Sequence, residues 1–200
     1  QRYFAILQLF LCGLTILMLA GNLEFLFAGW EFLGVSSFLL IGFYHHRLSA
    51  IRSSLLVFGI YRFTDVGLIL AAWLKEYLFS SAHRFIMLED LGKTGAIESI
   101  HPHLFLLVCF LIILSAIGKS AQFPLSFWLA RAMEGPTSSS AIFYGALSLH
   151  AGVFLLLRTY PFWSLSPTAT GTIFIIGLVT VIVTGLASQS QSNIKGRLAY

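Results

Sequence analysis

Charge is what this sequence has least of. Asp, Glu, Lys and Arg make up 10% of its 200 residues, where a soluble domain carries about 25%. So few charges cannot cover a water-facing surface, which excludes a soluble enzyme. The net charge of +4 suits basic loops beside a membrane and calls for no nucleic-acid partner. Cysteine is nearly absent. Cys12 and Cys109 both lie in apolar runs and read as buried structural thiols, with no disulfide, metal or iron–sulfur pattern. There is no Gly-x-Gly-x-x-Gly stretch to hold a dinucleotide or flavin, so no cofactor is expected in this chain. There is also no signal peptide and no initiator Met, and the sequence stops at Arg197-Leu198-Ala199-Tyr200. It reads as a fragment of a longer polypeptide.

What fills the sequence is apolar. Hydrophobic residues make up 58% and the mean hydropathy is +0.87. Six spanning segments can be drawn: Phe4 to Ala20, Leu23 to Tyr44, Leu55 to Leu74, His103 to Trp128, Ser138 to Leu157 and Thr170 to Ala187. A membrane helix needs about 20 apolar residues and a barrel strand only about 10. The expected fold is therefore an all-α integral membrane protein of about six transmembrane helices, one of them broken, in a larger bundle. Gly21-Asn22 is a tight turn. Lys75 to Pro102 is the long polar loop, with room for a short surface helix. No low-complexity linker divides residues 1–200, which read as one domain. Arg2, Arg47, Arg52, Arg131, Lys195 and Arg197 fall on one side, and Lys75, Arg84, Lys93 and Arg158 on the other, diluted by Glu76, Glu89, Asp90 and Glu98. The excess places both termini on the cytoplasmic or matrix side.

The few charges inside the apolar segments carry the functional signal. Lys119 sits inside the fourth segment, roughly 24 Å from one end and 14 Å from the other. An ammonium there costs on the order of 3 kcal/mol on insertion scales. Pro124, five residues on, has no N–H for the carbonyl of Ser120, so the helix should break beside the lysine. A cation at a broken helix is how transporters build a mid-membrane site. Glu31 lies at similar depth in the second segment. It either packs as a neutral acid or exchanges protons with Lys119 as partner. Arg62 and Asp65 are three apart on the third segment, on one helix face, as a structural ion pair or part of a hydrated chain. His150, in the fifth segment, suits a proton relay or a satisfied structural role; Tyr144 is six positions earlier, on a different face. Lys195 reads as an interfacial anchor or a site in a further helix. His45, His46 and Arg47 read as a solvated loop, and Ser138, Ser139 and Ser140 as caps after Pro136-Thr137.

These residues resemble a known family. Gly118-Lys119-Ser120-Ala121-Gln122-Phe123-Pro124-Leu125, then Trp128-Leu129 and Ala132-Met133-Glu134-Gly135-Pro136-Thr137, look like the central signature of the antiporter-like subunits of respiratory complex I, shared with the Mrp cation/proton antiporters. The likeness extends to Asn22-Leu23, Gly29-Trp30-Glu31 and Leu40-Ile41-Gly42-Phe43, to Arg62-Phe63-Thr64-Asp65-Val66-Gly67, and to Asn193-Ile194-Lys195 with Leu198-Ala199-Tyr200. It is closest to the largest, distal subunit of that family. The resemblance implies proton translocation by association and separation of Glu31 and Lys119, modulated by Asp65, with Lys195 ahead of the next helix. It implies other membrane subunits of a large complex as partners, and the bacterial or mitochondrial inner membrane as location. The chain departs from the family pattern at Arg131, Tyr144 and Asn193. Two alternatives stay open: a sodium/proton antiporter subunit, and a membrane energy-coupling partner in inorganic-carbon uptake.

Overall fold

The computed structural model describes residues 1–79, 102–140 and 147–200, and all regular structure among them is helical. In chain order the helices are α1 (Arg2–Leu19), α2 (Leu23–Ile41), α3 (Leu48–Phe79), α4 (Pro102–Lys119), α5 (Phe127–Ala132), α6 (Leu149–Arg158), α7 (Tyr160–Trp163), α8 (Pro167–Ser190) and α9 (Ile194–Ala199). Five are long and apolar enough to cross a membrane: α1, α2, α3, α4 and α8. Helices satisfy their own backbone hydrogen bonds, which is what hydrocarbon demands.

Local chemistry sets the ends. The turn at Gly21-Asn22 leads into α2, where Asn22 Oδ1 accepts the N–H of Phe25 at 2.9 Å, an N-cap. At α8, Ser166 Oγ accepts the N–H of Ala169 at 3.3 Å, and Pro167 takes the first helical position, where its missing N–H costs nothing. Ser139 and Ser140 do the opposite of capping a helix start. Their hydroxyls donate to the carbonyl of Pro136 at 2.8 and 3.0 Å.

Three segments differ from their sequence outlines. Helix α3 begins at Leu48 and runs to Phe79, past both expected ends, so Lys75 belongs to the helix and not to a loop. Arg52 did not stop it because a helix longer than the hydrocarbon core carries polar residues outside that core. The fifth segment is described only in part: residues 141–146, with Tyr144, lie outside the described residues, and α6 supplies 10 residues of it. The fourth segment is α4, a break, and then the short α5. The rest of the polar loop, residues 80–101 with Arg84 and Lys93, lies outside the described residues. Cys109 is buried as expected, whereas Cys12 is exposed.

Close helix contacts run through small residues, as in other membrane bundles. A methyl group added to Gly29 of α2 would come within 2.7 Å of the carbonyl oxygen of Gly13 in α1. One added to Gly67 of α3 would meet the Leu111 carbonyl of α4 at 2.8 Å, and one on Gly152 of α6 would meet the Ala116 carbonyl at 2.6 Å. The largest fully buried side chains are Trp30, Trp128, Tyr61, Phe10 and Lys119. Four are aromatic and the fifth is a lysine, which marks the site. Helix α8 turns Phe174, Ile175, Leu178, Val181, Ile182 and Leu186 outward.

The two ends differ in charge. At one, Arg2 Nη1 meets His45 Nδ1 at 3.0 Å, and Arg47 and Lys195 line a shared polar cavity of about 400 Å³. At the other, Lys75 pairs with Glu24, and Arg158 Nη2 donates to the Ala20 carbonyl at 2.5 Å.

Candidate functional site

Helix α4 ends at Lys119, sooner than Pro124 requires. The N–H of Ser120 still bonds the Ala116 carbonyl at 2.9 Å, but that of Gln122 reaches back to Ile117 at 3.0 Å. Between them Ala121 takes φ 50°, a left-handed conformation that costs a non-glycine residue on the order of 1 kcal/mol or more. The freed groups find partners. Trp128 Nε1 of α5 donates to the Gly118 carbonyl at 3.0 Å, Ser120 Oγ to the Leu149 carbonyl of α6 at 2.8 Å, and the N–H of Phe123 to Thr180 Oγ1 of α8 at 2.9 Å. Satisfied this way, irregular backbone is tolerated at membrane depth.

The break aims Lys119 inward, where it is fully buried. Its Nζ donates to the backbone carbonyl of Trp30 at 2.7 Å. It lies 4.5 Å from the Trp30 ring centroid and 4.9 Å from that of Tyr61, an arrangement that favours a cation. Asp65 Oδ2 stands 3.9 Å away. At an effective dielectric of about 20, unit charges so spaced attract by about 4 kcal/mol, which offsets much of the roughly 3 kcal/mol that each of the two ions costs on insertion.

Asp65 is itself 3% exposed and shared. Its Oδ1 accepts Trp30 Nε1 at 2.6 Å, and its Oδ2 lies 3.4 Å from Arg62 Nη2. The same Nη2 is in direct contact with Glu31 Oε2. The charged groups thus form a series: Glu31, Arg62, Asp65, Lys119. The direct meeting of Glu31 and Lys119 expected from sequence is not the arrangement found. Glu31 holds Arg62, Asp65 holds Lys119, and the inner two link the outer two. Glu31 and Arg62 are 23% and 38% exposed, so this half of the series opens to one side of the bundle. Among the described residues, Glu31 Oε1 and Arg62 Nε are buried without hydrogen-bond partners.

Space is kept open beside the cations. A methyl group on Gly34 would lie 3.3 Å from Lys119 Nζ and 3.5 Å from Arg62 Nη2. Behind the site, Ser115 Oγ donates to the Thr64 carbonyl at 2.7 Å, joining α4 to the turn that presents Asp65. His150 is exposed on α6. Lys195 lies in the first turn of α9, where its N–H donates to Asn193 Oδ1 at 3.1 Å, and it lines the polar cavity with Tyr44, Arg47 and Glu134.

Sequence reasoning missed Trp30, Tyr61 and Gly34. The signal was available in spacing: Trp30 and Gly34 are four apart, as are Tyr61 and Asp65, so each pair shares a helix face. It also missed the ion pair of Glu24 with Lys75.

Comparison with known proteins agrees with this architecture. The transmembrane family model described as NADH:quinone oxidoreductase/Mrp antiporter matches residues 20–200. The whole chain is 37% identical to NADH-quinone oxidoreductase subunit L of Neisseria meningitidis over 206 residues, covering 31% of that relative. It is 35% identical to NADH-ubiquinone oxidoreductase chain 5 of Allomyces macrogynus, covering 30% of it. The chain therefore spans about a third of the length of the curated relatives it matches. Among solved structures, the Mrp complex from Dietzia sp. DQ12-45-1b superposes with a TM-score of 0.89 at 26% identity, over 99% of this chain and 21% of the other. The chain, a multi-pass membrane protein by the length and hydropathy of its helices, belongs to the NADH:quinone oxidoreductase/Mrp antiporter transmembrane family.

Proposed function

We propose that this chain moves protons across the membrane as part of an antiporter-like subunit of a NADH–quinone oxidoreductase. One observation carries the reading: a fully buried ammonium at a broken membrane helix shares its carboxylate with a guanidinium that holds a second carboxylate. Four charged groups in series can exchange partners without any of them leaving the protein. While Glu31 is ionised it holds Arg62, and Asp65 is left to stabilise Lys119 as an ammonium. When Glu31 takes up a proton, Arg62 turns wholly to Asp65, and Lys119, short of counter-charge in a dry site, releases its own proton. A guanidinium stays charged throughout, so Arg62 is a moving counter-charge and carries no proton. In this reading Glu31 and Lys119 are coupled through Arg62 and Asp65. Gly34 leaves the cations room to approach and part. The released proton continues through water past Ser120 toward His150 and Lys195.

The half-exposed Glu31 and Arg62 would be costly against hydrocarbon. Their face is one for protein or water, which fits other membrane subunits as partners in a bacterial or mitochondrial inner membrane. Electron transfer belongs to those other subunits. In vesicles bearing the full-length subunit in its assembly, Lys119→Ala and Glu31→Ala are each expected to abolish proton movement while assembly persists. Normal pumping by either variant sinks the proposal. The likeness to the Mrp complex favours a second reading, exchange of sodium for protons by the same residues; a flux that requires sodium would select it.

A further inference from the structure

We infer that Glu24 and Lys75 form a second proton-exchanging station, between the Asp65–Lys119 cluster and the membrane face opposite Arg47. The inference rests on the proton-moving reading above and adds to it a place where protons enter or leave. Its first support is where the lysine points. Lys75 stands near the end of α3, where a lysine stem ordinarily carries its ammonium out to water. Instead its side chain is 3% exposed and Nζ donates to Glu24 Oε1 at 3.0 Å. Leu23, Val108, Ile112 and Phe162 surround it, with a gap of about 10 Å³, close to the lower limit for one water molecule. A tether between two helix ends does not require the ammonium to turn away from water.

The second support is the carboxylate. Glu24 is 34% exposed, so its side chain borders the outside of the bundle while the ammonium of Lys75 lies inside. Only one of its oxygens is held by Lys75. The other, Oε2, is buried with no hydrogen-bond partner among the described residues. Glu31 repeats this arrangement, with one oxygen on Arg62 of α3 and the other unpartnered. The two glutamates are seven residues apart on α2, two turns along one face, roughly 10 Å. The seam of α2 and α3 thus presents two similar stations in line, one at mid-membrane and one at the end. Arg158 of α6 holds the Ala20 carbonyl in the same corner. Proton exchange here is balanced: Lys75 gives a proton inward to Glu31, leaving a neutral amine, and Glu24 takes a proton from water and passes it to that amine.

The test uses the full-length subunit in its assembly, in vesicles with a pH-sensitive dye, beside Lys119→Ala and Glu31→Ala. Glu24→Gln is expected to assemble normally and to pump roughly 100-fold more slowly, the low end of what a positioned acid–base group contributes. The double variant Glu24→Gln with Lys75→Gln, which restores a neutral hydrogen-bonded pair, is expected to assemble and to remain slow. If either Glu24 variant pumps within about twofold of the parent while Lys119→Ala and Glu31→Ala are dead, the second station is overturned and the first stands. If both Glu24 variants fail to assemble, the pair is a clamp and the inference is overturned too. Normal pumping by Lys119→Ala or Glu31→Ala removes the proton-moving reading itself.

Discussion

At the scale of single residues, Trp30 does more than its apolar bulk accounts for. Its indole N–H donates to Asp65, its carbonyl accepts from Lys119, and its ring lies 4.5 Å from the same ammonium. It sits immediately before Glu31, so one turn of α2 presents both ends of the charge series. Trp30→Phe keeps a ring above Lys119 and the backbone carbonyl but removes the N–H. A buried hydrogen bond to a charged group is worth about 1.5–3 kcal/mol. The expected outcome is a lower thermal midpoint in detergent together with slower proton movement. An unchanged midpoint and rate would show that Asp65 does not depend on the indole.

At the scale of elements, the site exists because α3 and α4 cross closely enough to bring Asp65 within 3.9 Å of Lys119. Gly118 makes that crossing possible. A methyl group placed on it would run into the side chain of Thr64. Overpacking of this kind costs about 1–3 kcal/mol, so Gly118→Ala is expected to lower the amount of folded subunit recovered from membranes. Thr64→Ala is not expected to rescue it, because the Thr64 Cβ itself lies 2.5 Å from the added methyl. Full recovery in the double variant would contradict this account of the crossing. The break after α4 depends on the same packing. Ala121 holds its left-handed φ of 50° because the groups around it are tied to α5, α6 and α8, not because of any residue in the sequence that prefers that conformation.

At the scale of the whole molecule, the ends of the bundle separate Arg2, Arg47 and Lys195 from Glu24, Lys75 and Arg158. The basic end is expected on the cytoplasmic or matrix side. In a subunit without Cys12 and Cys109, a cysteine at His46 should be labelled by an impermeant thiol reagent only from that side. One at Leu165, 51% exposed and just beyond α7, should be labelled only from the other. Labelling of both from one side would contradict the topology, and reversed labelling would contradict the orientation.

The sequence alone determined the membrane class, most of the helix positions and the broken helix at Lys119, because scarcity of charge and runs of apolar residues are properties of the chain read in order. It also put Arg62 and Asp65 on one face, since spacing along a helix is local; the two lie 3.4 Å apart. The partners across helices were decided only by the tertiary structure. Glu31 and Lys119 have similar depth in the sequence, but depth leaves the rotation of each helix about its axis undetermined. Packing at Gly29, Gly67 and Gly118 sets those rotations. They turn Glu31 to Arg62, Lys119 to Asp65 and the carbonyl of Trp30, and Lys75 inward to Glu24.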